Sequence, residues 1–376
     1  MILEDLPKAL HHEGGLSRRL FLAYAASLSS IPLLSRYASA APAHSFTSDP
    51  FTFGVASGDP DHESVILWTR LAPKPLEPGG GMPKAPVEVH WEIAEDSSFK
   101  KIVQSGKINA TPELGHSVHI EPRGLKPDHW YSYRFKSGDA TSPIGRTRTM
   151  PAPDASPGKL RFAVTSCQNF EAGLFTAYQQ MAKDKPDLVF HLGDYIYEYA
   201  SGRNGKVRTH LGPEIESLDQ YRIRYAQYRG DKDLQAMHAA CPWFVTWDDH
   251  EFDNNCAADI SEQKNVDTAK FLIRRANAYQ AYYEMMPLRT SSLPVGPNMT
   301  LYRKGSFGTL AEFFILDTRQ YRSDQPNNDR KSPLNAAATN PRNTLLGETQ
   351  RKWLFDSMSA SKGCLLYTSP SPRDLH

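Results

Sequence analysis

The stretch Leu188-Val189-Phe190-His191-Leu192-Gly193-Asp194-Tyr195-Ile196-Tyr197-Glu198 constrains the fold of this chain more than any other. An apolar run of strand length enters Gly193, then releases a carboxylate, two phenols and a second carboxylate. A short continuous apolar run bounded by glycine reads as a buried strand. In open α/β sheets, ligands bind in the crevice beyond the C-terminal ends of the strands. Asp194 is therefore the first candidate functional residue.

The flanking sequence supplies the rest of such a sheet. Leu160 to Val164 reads as a strand, Leu174 to Lys183 as a helix, and Leu218 to Gln227 and Leu234 to Ala240 as two more helices. Trp243 to Trp247 is a short apolar strand that ends in Asp248-Asp249-His250-Glu251. A long helix covers Val266 to Glu284 and stops before Pro287; a strand runs from Leu310 to Leu316, and a helix from Gly347 to Met358. Alternating strands and helices predict a largely parallel or mixed sheet with helices on its faces. Its strands should bring Cys167, the pair Asp194 and Tyr197, and the cluster Asp248 to His250 to one edge.

Residues 46–150 read differently. Val87, Val89, Trp91 and Ile93 alternate with Glu88, His90 and Glu92, and Trp130 to Phe135 repeats the period of two. This predicts a small antiparallel β-sandwich, with His116 and His119 as exposed strand or loop residues. A proline-rich linker over 151–158 separates it from the α/β region. At 376 residues the chain is long enough for both domains. Lysine plus arginine (43) balances aspartate plus glutamate (42), so no overall field favours nucleic acid.

The N-terminus carries an address. Ser17-Arg18-Arg19-Leu20-Phe21-Leu22, an apolar small-residue run and Ala38-Ser39-Ala40 resemble a twin-arginine (Tat) signal with a cleavage site, which assigns residues 1–40 to a signal peptide. The expected partner is the Tat export machinery, and the expected location secreted, periplasmic or cell-wall associated. The run is too short and polar to span a bilayer, and no later segment reaches about 20 apolar residues.

Carboxylate, phenolate and thiolate donors suit a highly charged redox-type metal such as ferric iron, while further carboxylate and amide oxygens suit calcium. The set does not match a structural tetrahedral zinc site. If the segment after Gly193 takes one helical turn, Asp194 and Tyr197 face the same way. Asp248-Asp249-His250-Glu251 beside an apolar strand implies paired or metal-bound groups, since burying them otherwise is costly. Asn254 and Asn255 offer amides to a metal or a substrate anion. Cys241 and Cys256 read as packing residues, with a disulfide between them left open.

These residues carry a resemblance. Ser166-Cys167-Gln168-Asn169, Phe190 to Glu198, Trp247-Asp248-Asp249-His250-Glu251 and Leu316-Asp317-Thr318-Arg319-Gln320-Tyr321-Arg322 are similar to blocks of the PhoD family of alkaline phosphatases and phosphodiesterases, within the calcineurin-like metallophosphoesterases. Phe53 to Pro60 and Leu67-Trp68-Thr69-Arg70 resemble that family's β-sandwich domain. The resemblance implies an α/β catalytic domain of four α/β/β/α layers over 159–362. It also implies hydrolysis of phosphate monoesters or diesters by a metal-bound hydroxide or oxide, at a site holding Fe3+ and Ca2+. Carried over by position, Cys167, Asp194 and Tyr197 would bind iron, with Asp194 bridging towards calcium and Asp249 a ligand of the second metal. His250 would sit near the leaving group or the phosphate, and Arg319 or Arg322 at the phosphate; Asn255, from its amide chemistry, is a catalytic candidate as a contact to the substrate anion.

The resemblance also implies further strands and a Gly-Asp-x-His block, which nothing after Lys362 matches. Residues 363–376 therefore read as a tail foreign to the fold, and the catalytic domain as incomplete. An exported, inactive phosphate- or cell-wall-binding protein of the same fold is the alternative.

Overall fold

The computed structural model describes residues 45–203, 205, 207–363 and 365–368. The predicted signal peptide and residues 369–376 lie outside this range. Strands β1 (Val55–Gly58), β2 (Ile66–Arg70), β3 (Val87–Ala94), β4 (Ile102–Ala110), β5 (Ser117–Ile120), β6 (Trp130–Ser137), β7 (Ala140–Thr141) and β8 (Gly145–Arg148) come first. Then follow β9 (Phe162–Thr165), helix α1 (Thr176–Lys183), β10 (Leu188–His191), α2 (Leu218–Arg229), α3 (Lys232–Ala240), β11 (Trp243–Val245) and α4 (Thr268–Met285). The hairpin β12 (Arg303–Phe307) and β13 (Ala311–Ile315), helix α5 (Gly347–Ser359) and β14 (Leu365–Thr368) complete the order.

The elements form where the sequence periods place them. Side chains of β6 alternate strictly between buried and half-buried, as expected for a strand with one wet face. All four residues of β10 are buried, because β9 and β11 flank it in parallel and both faces are covered. Ser217 and Gln220 form a reciprocal capping box that starts α2, and Asp231 and Asp267 cap α3 and α4. Helix α4 stops before Pro287, as predicted.

The sandwich is not a separate unit. Its second sheet, β5-β2-β1, runs on through β1 and β11 into the α/β sheet, giving one six-stranded sheet in the order β5-β2-β1-β11-β10-β9. Gly58 allows that junction: a Cβ there would lie 2.4 Å from the Pro287 carbonyl oxygen and 2.8 Å from that of Trp243. Val55, Leu67, Val89, Tyr133 and Phe135 form the core between this sheet and β4-β3-β6.

Around the α/β part the layers are helix, sheet, sheet, helix. Tyr178, Val189, Tyr225, Met237, Trp243 and Tyr279 join the large sheet to the helices on one face. On the other face Leu188, Phe190 and Phe244 meet Phe307, Phe313 and Ile315 of the β12-β13-β14 sheet. Phe314, Leu316 and Leu354 then hold α5 beneath that second sheet. The fold is thus α/β with a β-sandwich flank, as expected.

Two expectations change, both for histidines. His116 is buried and its Nε2 lies 3.1 Å from the Ala85 carbonyl oxygen. His119 stacks on Tyr283 with ring centroids 4.4 Å apart, so both imidazoles belong to packing that alternation alone does not reveal. Leu365–Thr368, which the sequence assigned to a foreign tail, pairs in parallel with β13 in register from Ala311 to Phe314. Cys241 and Cys256 are buried free thiols, in keeping with their reading as packing residues.

Buried imidazoles also set a stability limit. Burial holds His119 down to about 4, His191 to about 3, His210 to about 4 and His238 well below its ordinary value. Unfolded, each titrates near 6.5. Their contribution is therefore fully present above about pH 6.5 and is lost as pH falls toward the folded values, at up to about 1.4 kcal/mol per histidine per pH unit. Calorimetric scans should show a flat Tm above neutrality and a steep fall below about pH 6. A Tm constant down to pH 4 would contradict the neutral burial of these rings.

Candidate metal centre

Strands β9, β10 and β11 are parallel and end on one edge, and each releases site residues there. Beyond β10 the backbone takes no helical turn. Gly193 has φ 111° and Asp194 φ 54°, and Cys167 after β9 is likewise left-handed at φ 54°. A Cβ on Gly193 would sit 2.3 Å from the Asp248 nitrogen, so only glycine lets the β10 loop lie against the β11 loop. The Cys167 N–H donates to the Gly193 carbonyl at 3.0 Å and Gln168 N–H to that of Asp194 at 3.1 Å, which ties the β9 loop to the same place.

Asp194, Asp249 and His250 present ligand atoms within 4.8 Å of one another, and all three residues are buried. The Tyr197 hydroxyl donates to Asp194 Oδ2 at 3.1 Å. Burial raises the Tyr197 phenol, and the Asp194 carboxylate and the Cys167 thiol raise it further. Cys167 is exposed as a residue, yet its thiol is pushed up to about 12 by loss of water and then by Asp194. The Asp194 carboxylate thus helps hold the phenol and thiol protons on, and a cation placed among these donors would reverse that effect. Oxygen, nitrogen and sulfur donors of this kind fit a hard to borderline metal, and binding one would release the thiol and phenol protons.

Buried partners orient these groups. Glu251 accepts the Tyr195 N–H at 2.6 Å and the Asp248 N–H at 2.9 Å, bridging the β10 and β11 loops. Arg319 donates from Nε to Asp248 Oδ1 at 2.6 Å, and its Nη2 lies 3.5 Å from Asp249 Oδ1. The Asn255 N–H donates to Asp249 Oδ2 at 2.7 Å, while its side-chain amide donates to Glu262 Oε1 at 3.3 Å. Arg322 is half-buried on the turn beyond β13. The Arg319 guanidinium thus meets both aspartates.

Sequence reasoning left Glu198 without a role. Its Oε2 lies 2.7 Å from His250 Nδ1, and its Oε1 accepts the Asn254 N–H at 3.0 Å. Burial lowers the His250 imidazole, but the hydrogen bond and charge of Glu198, with Asp249 and Asp194, outweigh it and bring it to about 9. Glu198 follows Asp194 by four residues within the opening stretch, but nothing in that spacing names a histidine 52 residues away as its partner. We expect Glu198→Gln to lower kcat on a phosphate ester about 10- to 100-fold with little change in KM. An unchanged kcat would remove Glu198 from the site.

A four-layer α/β fold with a mixed-donor cluster at the C-terminal edge of its parallel strands is an arrangement able to hold a metal ion. The sequence profile described as "PhoD-like phosphatase" matches residues 162–364, and that described as "PhoD-like phosphatase, N-terminal domain" matches residues 37–151. The chain is 57% identical over 323 residues to "Alkaline phosphatase D" of Bacillus subtilis (strain 168), covering 85% of this chain and 55% of the relative. The solved "Structure of PhoD" superposes with a TM-score of 0.85 at 55% identity, covering 87% of this chain and 63% of that one. This chain therefore belongs to the PhoD-like phosphatase family. It spans about half the length of the curated relative it matches.

Proposed function

We propose that this chain is the greater part of a secreted phosphoesterase, exported by the twin-arginine route, that cleaves phosphate monoesters, diesters or both. The observation that carries the reading is the convergence of Cys167, Asp194, Tyr197, Asp249 and His250 from three parallel strand ends in a chain 57% identical to an alkaline phosphatase D. Cys167, Asp194 and Tyr197 would hold Fe3+, and Asp194 and Asp249 would hold Ca2+. When bound, such cations supply charge neutralisation for the phosphoryl oxygens and an activated water-derived nucleophile. Glu198 fixes the His250 ring through Nδ1, which leaves Nε2 to give a proton to the departing ester oxygen as the P–O bond breaks. The Arg319 guanidinium holds Asp248 and Asp249 in place. Arg322 is the candidate phosphate clamp, and the Asn255 amide would exchange Glu262 for a phosphoryl oxygen.

Elemental analysis of the purified protein, paired with assays on p-nitrophenyl phosphate and bis(p-nitrophenyl) phosphate, tests the reading. Iron and calcium with turnover of either ester supports it. A metal-loaded protein that binds inorganic phosphate but turns over neither ester favours the binding-protein alternative.

A further inference from the structure

Tyr197 lies in a stretch without regular secondary structure, residues 197–200 between β10 and α2. Its peptide groups have no strand or helix ladder to join, so they must be paired in another way. Two side chains of α2 pair both. The Tyr197 N–H donates to the Tyr228 phenol oxygen at 3.1 Å, and the Tyr197 carbonyl accepts from Arg224 Nη1. Arg224 and Tyr228 are four residues apart, which puts them one turn apart on the same helix face, and both are buried.

Each of the two also reaches a second segment. The Tyr228 oxygen accepts the Phe170 N–H at 3.3 Å, and Phe170 lies in the loop after β9 that carries Cys167. The Tyr228 ring packs on those of Phe170 and Phe175, with centroids 5.3 and 5.9 Å away. Arg224 Nη1 donates to the Tyr199 carbonyl at 2.9 Å and Nη2 to that of Leu211 at 3.4 Å. A guanidinium carries several donors in one rigid fork, so a single side chain joins Tyr197, Tyr199 and Leu211.

The residue held in this way faces the site from both sides. Its phenol donates to Asp194 Oδ2 at 3.1 Å, and its ring centroid lies 4.2 Å from that of His250. With both peptide groups fixed on one helix face, the Tyr197 side chain leaves the backbone in one direction. We propose that Arg224 and Tyr228 are positioning residues for the phosphoesterase reaction: they fix the Tyr197 backbone so that its phenol stays on Asp194 and against His250, tied to the loop that carries Cys167. The inference rests on the reading of Tyr197 as an iron donor and of His250 as the proton donor. Displacements of about 1 Å at such positions are enough to cost about a hundredfold in rate.

Tyr228→Phe keeps the ring and removes only the hydroxyl. Tyr225→Phe makes the same change on the same helix, at a buried hydroxyl with no hydrogen-bond partner among the described residues. In the metal-free protein, amide hydrogen exchange at Tyr197 and Phe170 should speed up about tenfold or more in Tyr228→Phe and stay unchanged in Tyr225→Phe. In the iron-loaded protein, Tyr228→Phe should shift or weaken the phenolate-to-iron absorption band and lower kcat about 10- to 100-fold with little change in KM. Arg224→Met should do the same, and Arg224→Lys, which keeps a cationic donor, should recover part of the loss. An unchanged exchange rate or an unchanged kcat in Tyr228→Phe, or equal losses in Tyr225→Phe, overturns the proposal. An unaltered protein that binds iron without a phenolate band overturns Tyr197 as a ligand instead, and exchange and kcat then decide the positioning role. If Arg224→Met does not fold, Tyr228→Phe decides alone.

Discussion

Asp194→Asn should lower kcat/KM on a phosphate ester by about a thousandfold or more, the scale set by losing several kcal/mol of cation-derived transition-state stabilisation. The same change should leave the metal-free protein as stable as the unaltered chain, or more so. Asp194 is buried, and its charge helps raise the phenol of Tyr197, the thiol of Cys167 and the carboxyl of Glu251. Removing it relieves that mutual repulsion when no cation is present. Steady-state kinetics on the metal-loaded enzyme and calorimetry in a chelator read the two halves separately. Activity within tenfold of the unaltered protein would show that Asp194 is not a shared ligand.

The second large effect is on stability. Arg319 and Asp249 are buried, and the Arg319 guanidinium faces both Asp248 and Asp249. Arg319→Met removes that counter-charge and should cost about 3–5 kcal/mol, the usual penalty for breaking a buried ion pair from one side. Arg322→Met, at a half-buried turn position, should cost less than about 1 kcal/mol. Denaturant titrations of the two variants give the comparison, and kinetics add a second axis. If Arg322 clamps phosphate, Arg322→Met raises KM while stability holds. Equal stability losses in the two variants would contradict the division of roles.

Much of the site was legible before the structure. A continuous apolar run into glycine is the signature of a strand buried on both faces, so β10 and its edge followed from local pattern. Parallel strands share a C-terminal edge, so the meeting of Cys167, Asp194 and Asp249 followed from topology. The reason for the meeting of Asp194 and Tyr197 was misread. A helical turn was expected, but the left-handed Asp194 and the closely packed, positive-φ Gly193 turn the chain instead. Period-counting does not register positive φ at a non-glycine residue, because that conformation is imposed by what the loop packs against.

The β-sandwich shows the same boundary. Alternation in β3 and β6 fixed which side chains face inward, since a strand has only two faces. It could not state that β1 would pair with β11, because that contact joins residues far apart in sequence. The Leu365–Thr368 strand was missed for a related reason: its place beside β13 depends on the edge that β13 offers.

By itself, then, the sequence determined most of the strands and helices and the sheet edge that carries the donors. These depend on local periodicity and on a few fixed rules of connection. Only the tertiary structure decided which buried charges meet: Glu198 with His250, and Arg319 with Asp248 and Asp249. Charge pairing inside a protein is set by distance and loss of water, and neither quantity is written along the chain.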